Sequence, residues 1–467
     1  MRNLQISRHA VRLMPLITFL AAAVFGTTAA IGTPEKSPYD SLKPSGPTLD
    51  SVLGISSHMT SIAPGSWELP LELDKLRQAG VHMVRDDFFW KAVEPKKNEW
   101  TPEAFDRLVN LITGSGMEVL AILDYGVDWA MPHGFNSEVR PEFFADFAGY
   151  LAGHFRGRIK YYEVGNEPDL FIFWRPWPDP GHYGELLKAS SRAIRENDPE
   201  ARVLFGGISP VEPYFYGPNG SWQFLLKAHS HHPDLCQWFD ILAIHPYSFL
   251  QASAPEFGAT ENPVFIYDLS GAVRQARRQL EKIGCPDKEI WITEMGWPDL
   301  FTGKERQAAY LVRGLFLAMA EGVKYYAWYT FWDGANRSWN KEDAFGLFGR
   351  PEKNPKAKPA YEAMKIAHEL LGGMKYAGDL GEKLGWKHEC RGLAFADDHG
   401  RWALAIWKET SSPRSFCQVM APLPEGANGW RLLDQEGGKI SEGATKIVSV
   451  KAGMKVVYLF FNTRHGS

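Results

Sequence analysis

The sequence predicts an α/β protein: a (β/α)8 TIM barrel over residues 50–374, followed by a small C-terminal β-sandwich over 375–467. Three observations predict it. Between residues 50 and 372, short runs rich in Val, Ile and Tyr alternate eight times with amphipathic stretches. No GxGxxG or P-loop segment follows the first run, so a doubly wound open sheet lacks support. After Lys375 the helical period fades, and short strands alternate with glycine-rich turns.

The elements follow in order. Arg2, Arg8 and Arg12 precede an uncharged apolar run over 13–31. A basic head and an apolar run read as a secretory signal peptide. The run is also near the length that spans a bilayer. Thr28-Ala29-Ala30 only approximates a cleavage site, so an uncleaved anchor is the alternative for 1–31. Either reading sends the rest of the chain out of the cytoplasm, periplasmic or secreted, and the second adds inner-membrane association through 13–31. Pro34, Pro38, Pro44 and Pro47 predict a stiff, exposed linker over 32–49. Barrel strands are expected at 52–56, 83–87, 118–123, 159–164, 203–206, 241–245, 290–294 and 325–331. Helices are expected at 69–79, 102–115, 141–155, 182–197, 222–230, 268–283, 304–321 and 359–371. The second domain's strands are expected at 392–396, 402–407, 416–420, 446–450 and 456–461.

Composition narrows the function. Hydrophobic residues make up 45% of the 467 and charged residues 23%, which excludes wholesale disorder. The net charge of -4 gives no basic excess for a nucleic-acid partner. Seventeen Trp, 17 Tyr and 28 Phe suit a protein that stacks flat ligands, sugars among them. Cys236, Cys285, Cys390 and Cys417 form no CxxC pair, so a zinc ribbon is not supported. In an exported chain, Cys236 with Cys285 and Cys390 with Cys417 keeps each bond inside one domain. Four buried thiols are the alternative.

Chemistry in such a barrel sits at the C-terminal ends of the strands. Strand four ends in Glu163-Val164-Gly165-Asn166-Glu167-Pro168, and strand seven in Ile292-Thr293-Glu294-Met295-Gly296. A carboxylate atop an apolar strand is costly unless paired. Two facing one cleft can cleave a glycosidic bond, one protonated and one ionised. Alternation sends Glu163 inward below Glu167, where pairing with Arg85 would be structural. His229, His231, His232 and Asp234 follow a helix at the opposite end of the barrel and read as a solvated helix end rather than a metal site. No GxSxG occurs.

These segments resemble the two signatures of clan A retaining glycoside hydrolases over residues 50–372. The stretch Val84-Arg85-Asp86-Asp87 through Trp90, with Val93-Glu94-Pro95 and Trp100, looks most like family 39, with family 5 a near alternative. The match is also similar to bacterial exopolysaccharide endoglycosidases of the PslG type. The resemblance implies Glu167 as acid/base and Glu294 as nucleophile, in a double displacement that needs no metal or organic cofactor. It implies that Arg85 keeps the nucleophile ionised and that Asn166 binds a sugar 2-hydroxyl. His245 and Tyr247 would contact the two carboxyls, and Trp332 (or Trp328) would be a platform under the sugar. Asp124-Tyr125 stands where family 5 often has His, which leaves the role of Asp124 in sugar binding open.

Loop aromatics are candidate stacking subsites for a polysaccharide: Trp174 within 171–177, Tyr214, Phe215 and Tyr216, and Trp129, Trp297 and Trp339. Trp386, Trp402, Trp407 and Trp430 would either bind carbohydrate or brace the second domain on the barrel. The reading is an exported retaining endo-glycosidase. Its rivals are an exo-acting glycosidase on small oligosaccharides and a non-catalytic polysaccharide-binding protein of an export assembly.

Overall fold

Eight short strands that are apolar on both faces can only be buried on both faces, which a parallel barrel inside a ring of helices provides. The computed structural model describes residues 37–61, 66, 68–210, 221–248, 253–257, 268–336, 339–350, 355–386 and 390–463. The expected leader or anchor over 1–31 and the aromatic triplet over 214–216 lie outside the described residues. No described helix is long and apolar enough to cross a membrane.

Strand β1 is Ser45–Thr48. The barrel strands are β2 (Leu53–Ser56), β3 (Met83–Phe89), β4 (Glu118–Asp124), β5 (Tyr161–Asn166), β6 (Arg202–Ile208), β7 (Ile241–Ile244), β8 (Glu289–Met295) and β9 (Tyr326–Tyr329). Each pairs in parallel with the next, and β9 returns to β2, so the barrel closes. Inward residues form two layers. The lower is apolar, with Met83, Leu120, Ile241, Trp291 and Tyr325. The upper is polar, with Ser56, Arg85, Glu163 and Thr293, all buried. The site is built on that second layer.

The remaining strands are β10 (Lys375–Asp379), β11 (Arg391–Ala396), β12 (Arg401–Trp407), β13 (Cys417–Pro422), β14 (Ala427–Leu433), β15 (Lys439–Gly443), β16 (Ile447–Ala452) and β17 (Val457–Thr463). They form an antiparallel sheet in the order β1-β10-β11-β12-β17-β14-β15, with β13-β16 as a second, two-stranded layer. One sheet face carries Phe395 and Tyr458 into the barrel's own core, where Phe316 of the helix Lys304–Ala320 meets them. The other face joins β13 and β16 in a separate core. Buried Arg313 ties the parts together. It ion-pairs with Glu256 and donates to the Thr410 carbonyl at 3.0 Å. Trp407 is fully buried and donates to Glu256 at 2.8 Å, which makes it a brace. Trp386 is buried, Trp402 stacks on Phe461, and Trp430 donates to the Thr445 hydroxyl between β15 and β16.

The linker expected over 32–49 is corrected in its described part. Ser45–Thr48 pairs with β10, and Tyr39 and Leu42 are buried in the second core. The Tyr39 hydroxyl donates to the Pro422 carbonyl at 2.8 Å. Two apolar anchors and a strand partner outweigh the stiffness that the prolines confer. The cysteines pair as Cys236–Cys285 and Cys390–Cys417.

Candidate active site

Arg85 is the hub. It points inward from β3 and is fully buried, so every donor of its guanidinium needs a partner. Its Nε and one terminal nitrogen each donate to Glu163 at 2.9 Å, a bidentate fork. The same terminal nitrogen donates to Asn166 at 2.9 Å. The other donates to Ser56 at 3.0 Å and to Glu294. The structural pairing with Glu163 and the contact to Glu294 therefore coexist on one side chain.

Local backbone features aim the two outer glutamates. Between Ile292 and Met295 the register of β8 against β9 shifts, and this irregularity places Glu294 at the rim. Glu167 follows β5 with φ of 41°, left-handed for a non-glycine residue, after Gly165 at 77°. Such strain is held where surrounding contacts over-determine it. One oxygen of Glu167 and one of Glu294 lie within 4.8 Å of each other.

His245 sits between them, fully buried. Its Nδ1 is 2.8 Å from Glu167 and its Nε2 is 3.0 Å from the Thr293 hydroxyl. Gly207 makes room for this ring: a Cβ there would meet Nε2 at 2.1 Å. The Gly207 N–H also donates to Glu163 at 2.9 Å. The Tyr247 hydroxyl donates to Glu294 at 3.0 Å.

The two carboxyls are driven apart. Burial raises the Glu167 carboxyl, and the Glu294 charge adds to it. The His245 contact offsets only part, so Glu167 lies above the ordinary carboxyl range. Burial would also raise Glu294, but the charges of His245 and Arg85, with the Tyr247 hydrogen bond, hold it below that range. Burial opposes a charge on His245, but Glu294 and Glu167 outweigh it and raise its pKa. One acid and one carboxylate, side by side, are what bond cleavage at an anomeric centre requires.

Glu167, His245 and Glu294 also have the spacing of three metal ligands. Their donor atoms are already engaged by Arg85, Tyr247, Thr293 and each other, and Arg85 places a fixed cation alongside. The residues fit a proton-transfer site better than a metal site. In the segment 229–234, His232 faces the Gly181 carbonyl at 2.8 Å, and Asp234 pairs with Lys188.

The aromatic expectations divide. Trp297 is corrected: it is fully buried, with its N–H on Ser253 and Ser248, and packs against Tyr310 and Trp328. Trp174 is 5% exposed and packs edge-on against Tyr183, so its ring faces are covered. Trp297 is a core residue, whereas Trp174, though buried, lines a small cavity with Asp124 and Asn166. Trp129 packs on Trp90 and Phe143. Trp328 is buried, with its N–H on the Phe345 carbonyl. Trp332 lies three residues beyond the end of β9, donates to Glu72 at 2.9 Å, and lines a cleft with His58 and Arg350. Phe171, Trp177 and Trp339 are exposed. Asp124 is buried beside Asn166 and Tyr125.

Sequence reasoning missed His58, Asp87 and Tyr329. His58 Nδ1 is 2.8 Å from Asp87, and its Nε2 is 3.3 Å from the Tyr329 hydroxyl. Each comes from a different strand end, so no local motif joins them. Strand-end position was the only available signal.

The fold is similar to that of several solved structures. A family 39 glycoside hydrolase from the gut symbiont Bacteroides cellulosilyticus WH2 superposes with a TM-score of 0.70 at 22% identity, over 91% of this chain and 82% of that one. The fold is that of the family 39 glycoside hydrolases. A monomeric β-xylosidase from Caulobacter crescentus CB15 gives 0.62 at 16% identity, over 90% and 98%. A family 30 endoxylanase from Clostridium papyrosolvens C71 gives 0.57 at 12%, over 90% and 98%. No family model and no curated protein sequence matches the chain.

Proposed function

We propose that this chain is a retaining glycoside hydrolase that cleaves inside a polysaccharide, an extracellular or biofilm exopolysaccharide. The observation that carries the reading is the pair Glu167 and Glu294. They are close, on separate strand ends, with opposite proton affinities. Retention needs carboxyls ~5–5.5 Å apart, whereas inversion needs ~6.5–9.5 Å to admit a water. One oxygen of each lies within 4.8 Å of one of the other, a closeness that supports retention.

Glu294, oriented by Arg85 and Tyr247, attacks the anomeric carbon. Glu167 gives its proton to the leaving oxygen, and a glycosyl ester forms on Glu294. The departed proton leaves Glu167 ionised. It then takes a proton from water, which attacks the ester and releases the sugar with its original configuration. His245 holds Glu167 and moves charge with it. Exposed Trp177 and Trp339 support an open cleft that accepts a chain. The two disulfides support a periplasmic or secreted location.

Reducing-end release from a panel of β-glucans, mannans, xylans and the producing organism's exopolysaccharide tests the reading. Large oligosaccharides are expected first. Exclusive release of single sugars would replace endo action by exo action. Replacing Glu167 by Gln is expected to lower kcat by about 10²–10⁴-fold on native linkages. The loss should shrink when the leaving group is an activated phenol, which needs no protonation. An equal loss with both leaving groups would remove Glu167 from the acid role.

The pH dependence follows from the same shifts. Activity rises as Glu294 ionises, below the ordinary Glu range, and falls as Glu167 loses its proton, above it. A bell-shaped kcat/KM profile is expected, and Glu167→Gln should lose the alkaline limb. An unchanged alkaline limb in that variant would contradict the assignment.

A further inference from the structure

We propose that Asp87 and Asp124, held in place by His58, form a two-carboxyl clamp that recognises adjacent hydroxyls on the sugar unit Glu294 attacks. The ligand is then a sugar with a free vicinal diol. The inference rests on the glycosidase reading and names the glycone that it leaves open.

The two carboxyls come from neighbouring parallel strands. Asp124 ends β4 opposite Phe89, and Asp87 lies two residues earlier on β3. Both are buried. Neither oxygen of Asp124 receives a hydrogen bond from a nitrogen or hydroxyl among the described residues. Its hydrogen-bonding neighbour is the Asp87 carboxyl, a contact that needs a proton between the two. Burial first, then the Asp87 charge, push Asp124 far above the carboxylate range, so Asp124 carries that proton. Its remaining lone pairs are unsatisfied, and Asp124 lines a small cavity with Asn166, Tyr125 and Trp174. Buried acceptors without donors are rare in folded proteins, and a ligand hydroxyl is the donor that would satisfy them.

His58 completes the device. Its Nδ1 bonds Asp87 at 2.8 Å, and its Nε2 reaches the Tyr329 hydroxyl at 3.3 Å. Burial opposes its charge, but the Asp87 contact, with the charges of Asp86 and Glu294, raises its pKa to about 9. His58 is therefore an imidazolium that fixes Asp87 from the open side of the cleft. Hydroxyl donors are the groups that match the unsatisfied Asp124 oxygens. His58 acts through Asp87 and is a positioning residue. A purely structural pair of carboxyls would stabilise β3 against β4 without reading the sugar.

Calorimetry separates the two. The probes are methyl β-glycosides of glucose, galactose, mannose and xylose with their 3-deoxy and 4-deoxy forms. They are titrated onto the full chain carrying Glu294→Gln, which binds without turnover. Removing one clamped hydroxyl is expected to weaken the best glycoside by at least ~10²-fold, because a site built for a hydroxyl rejects its absence strongly. Adding Asp124→Ala, or the near-isosteric Asp124→Asn where the first fails to fold, is expected to bring the parent and deoxy sugars to similar affinity. Asp87→Asn should do the same, and His58→Gln should do so in part. An undiminished deoxy penalty in the Asp124 and Asp87 variants overturns the clamp, as does absence of binding by every glycoside to Glu294→Gln. Binding needs no catalysis, so failure of the glycosidase reading shows separately, as absent polymer cleavage by the unmutated chain.

Discussion

Replacing Glu294 by Gln is expected to lower kcat by roughly 10⁵-fold, with folding and substrate binding retained. The amide cannot form the glycosyl ester, so the first half of the double displacement is lost outright. Stability should fall modestly, because Gln keeps the size but removes the charge that Arg85 and His245 favour in the folded state. The check is initial-rate kinetics on the polymer that the unmutated chain cleaves, beside a urea denaturation curve. A loss of tenfold or less would place the nucleophile elsewhere. A large loss with a collapsed denaturation midpoint would mean that Glu294 serves the fold.

The second large effect falls on Arg85. Its guanidinium satisfies Glu163 with two bonds and also reaches Glu294, Asn166 and Ser56. Arg85→Met would leave two buried carboxylates facing each other without that cation. Breaking a buried ion pair from one side costs about 3–5 kcal/mol, which should appear as a lower urea midpoint. Activity should fall as well. Without Arg85 the Glu294 carboxyl binds its proton more tightly, so the acid limb of the pH profile moves to higher pH. Arg85→Lys restores the charge but not the fork, and should recover only part of either loss. Unchanged stability and an unmoved acid limb in Arg85→Met would show that the upper barrel layer is held by something else.

The barrel was legible because strands buried on both faces read as short apolar runs, and helices separate them at regular intervals. The antiparallel second domain was legible in kind, from its glycine turns, but not in extent. The strand over Ser45–Thr48 pairs with Lys375 and Tyr376 at the far end of the chain, and four prolines nearby suggested a linker. No local pattern announces a partner so distant in sequence. Glu167 and Glu294 were legible because a carboxylate atop an apolar strand is an anomaly that demands a reason. Arg85 was legible for the same reason, as a charge inside a barrel.

Trp174 and Trp297 show the limit. Their neighbourhood is rich in aromatics whether the rings face a substrate or the core, and only the fold shows that both turn inward. Gly207 is a quieter case. Its importance comes from the His245 ring lying where a side chain would stand, a fact of two strands and not of one. His58, Asp87 and Tyr329 were missed because three strands contribute one residue each.

The central claim is that Glu167 and Glu294 act as a retaining pair. Proton NMR of the reducing end released in the first seconds of cleavage tests it most directly, before mutarotation mixes the anomers. The account predicts product with the anomeric configuration of the bond that was cut. First-formed product of the opposite configuration would contradict it, since inversion requires a single displacement by water and leaves no place for an ester on Glu294.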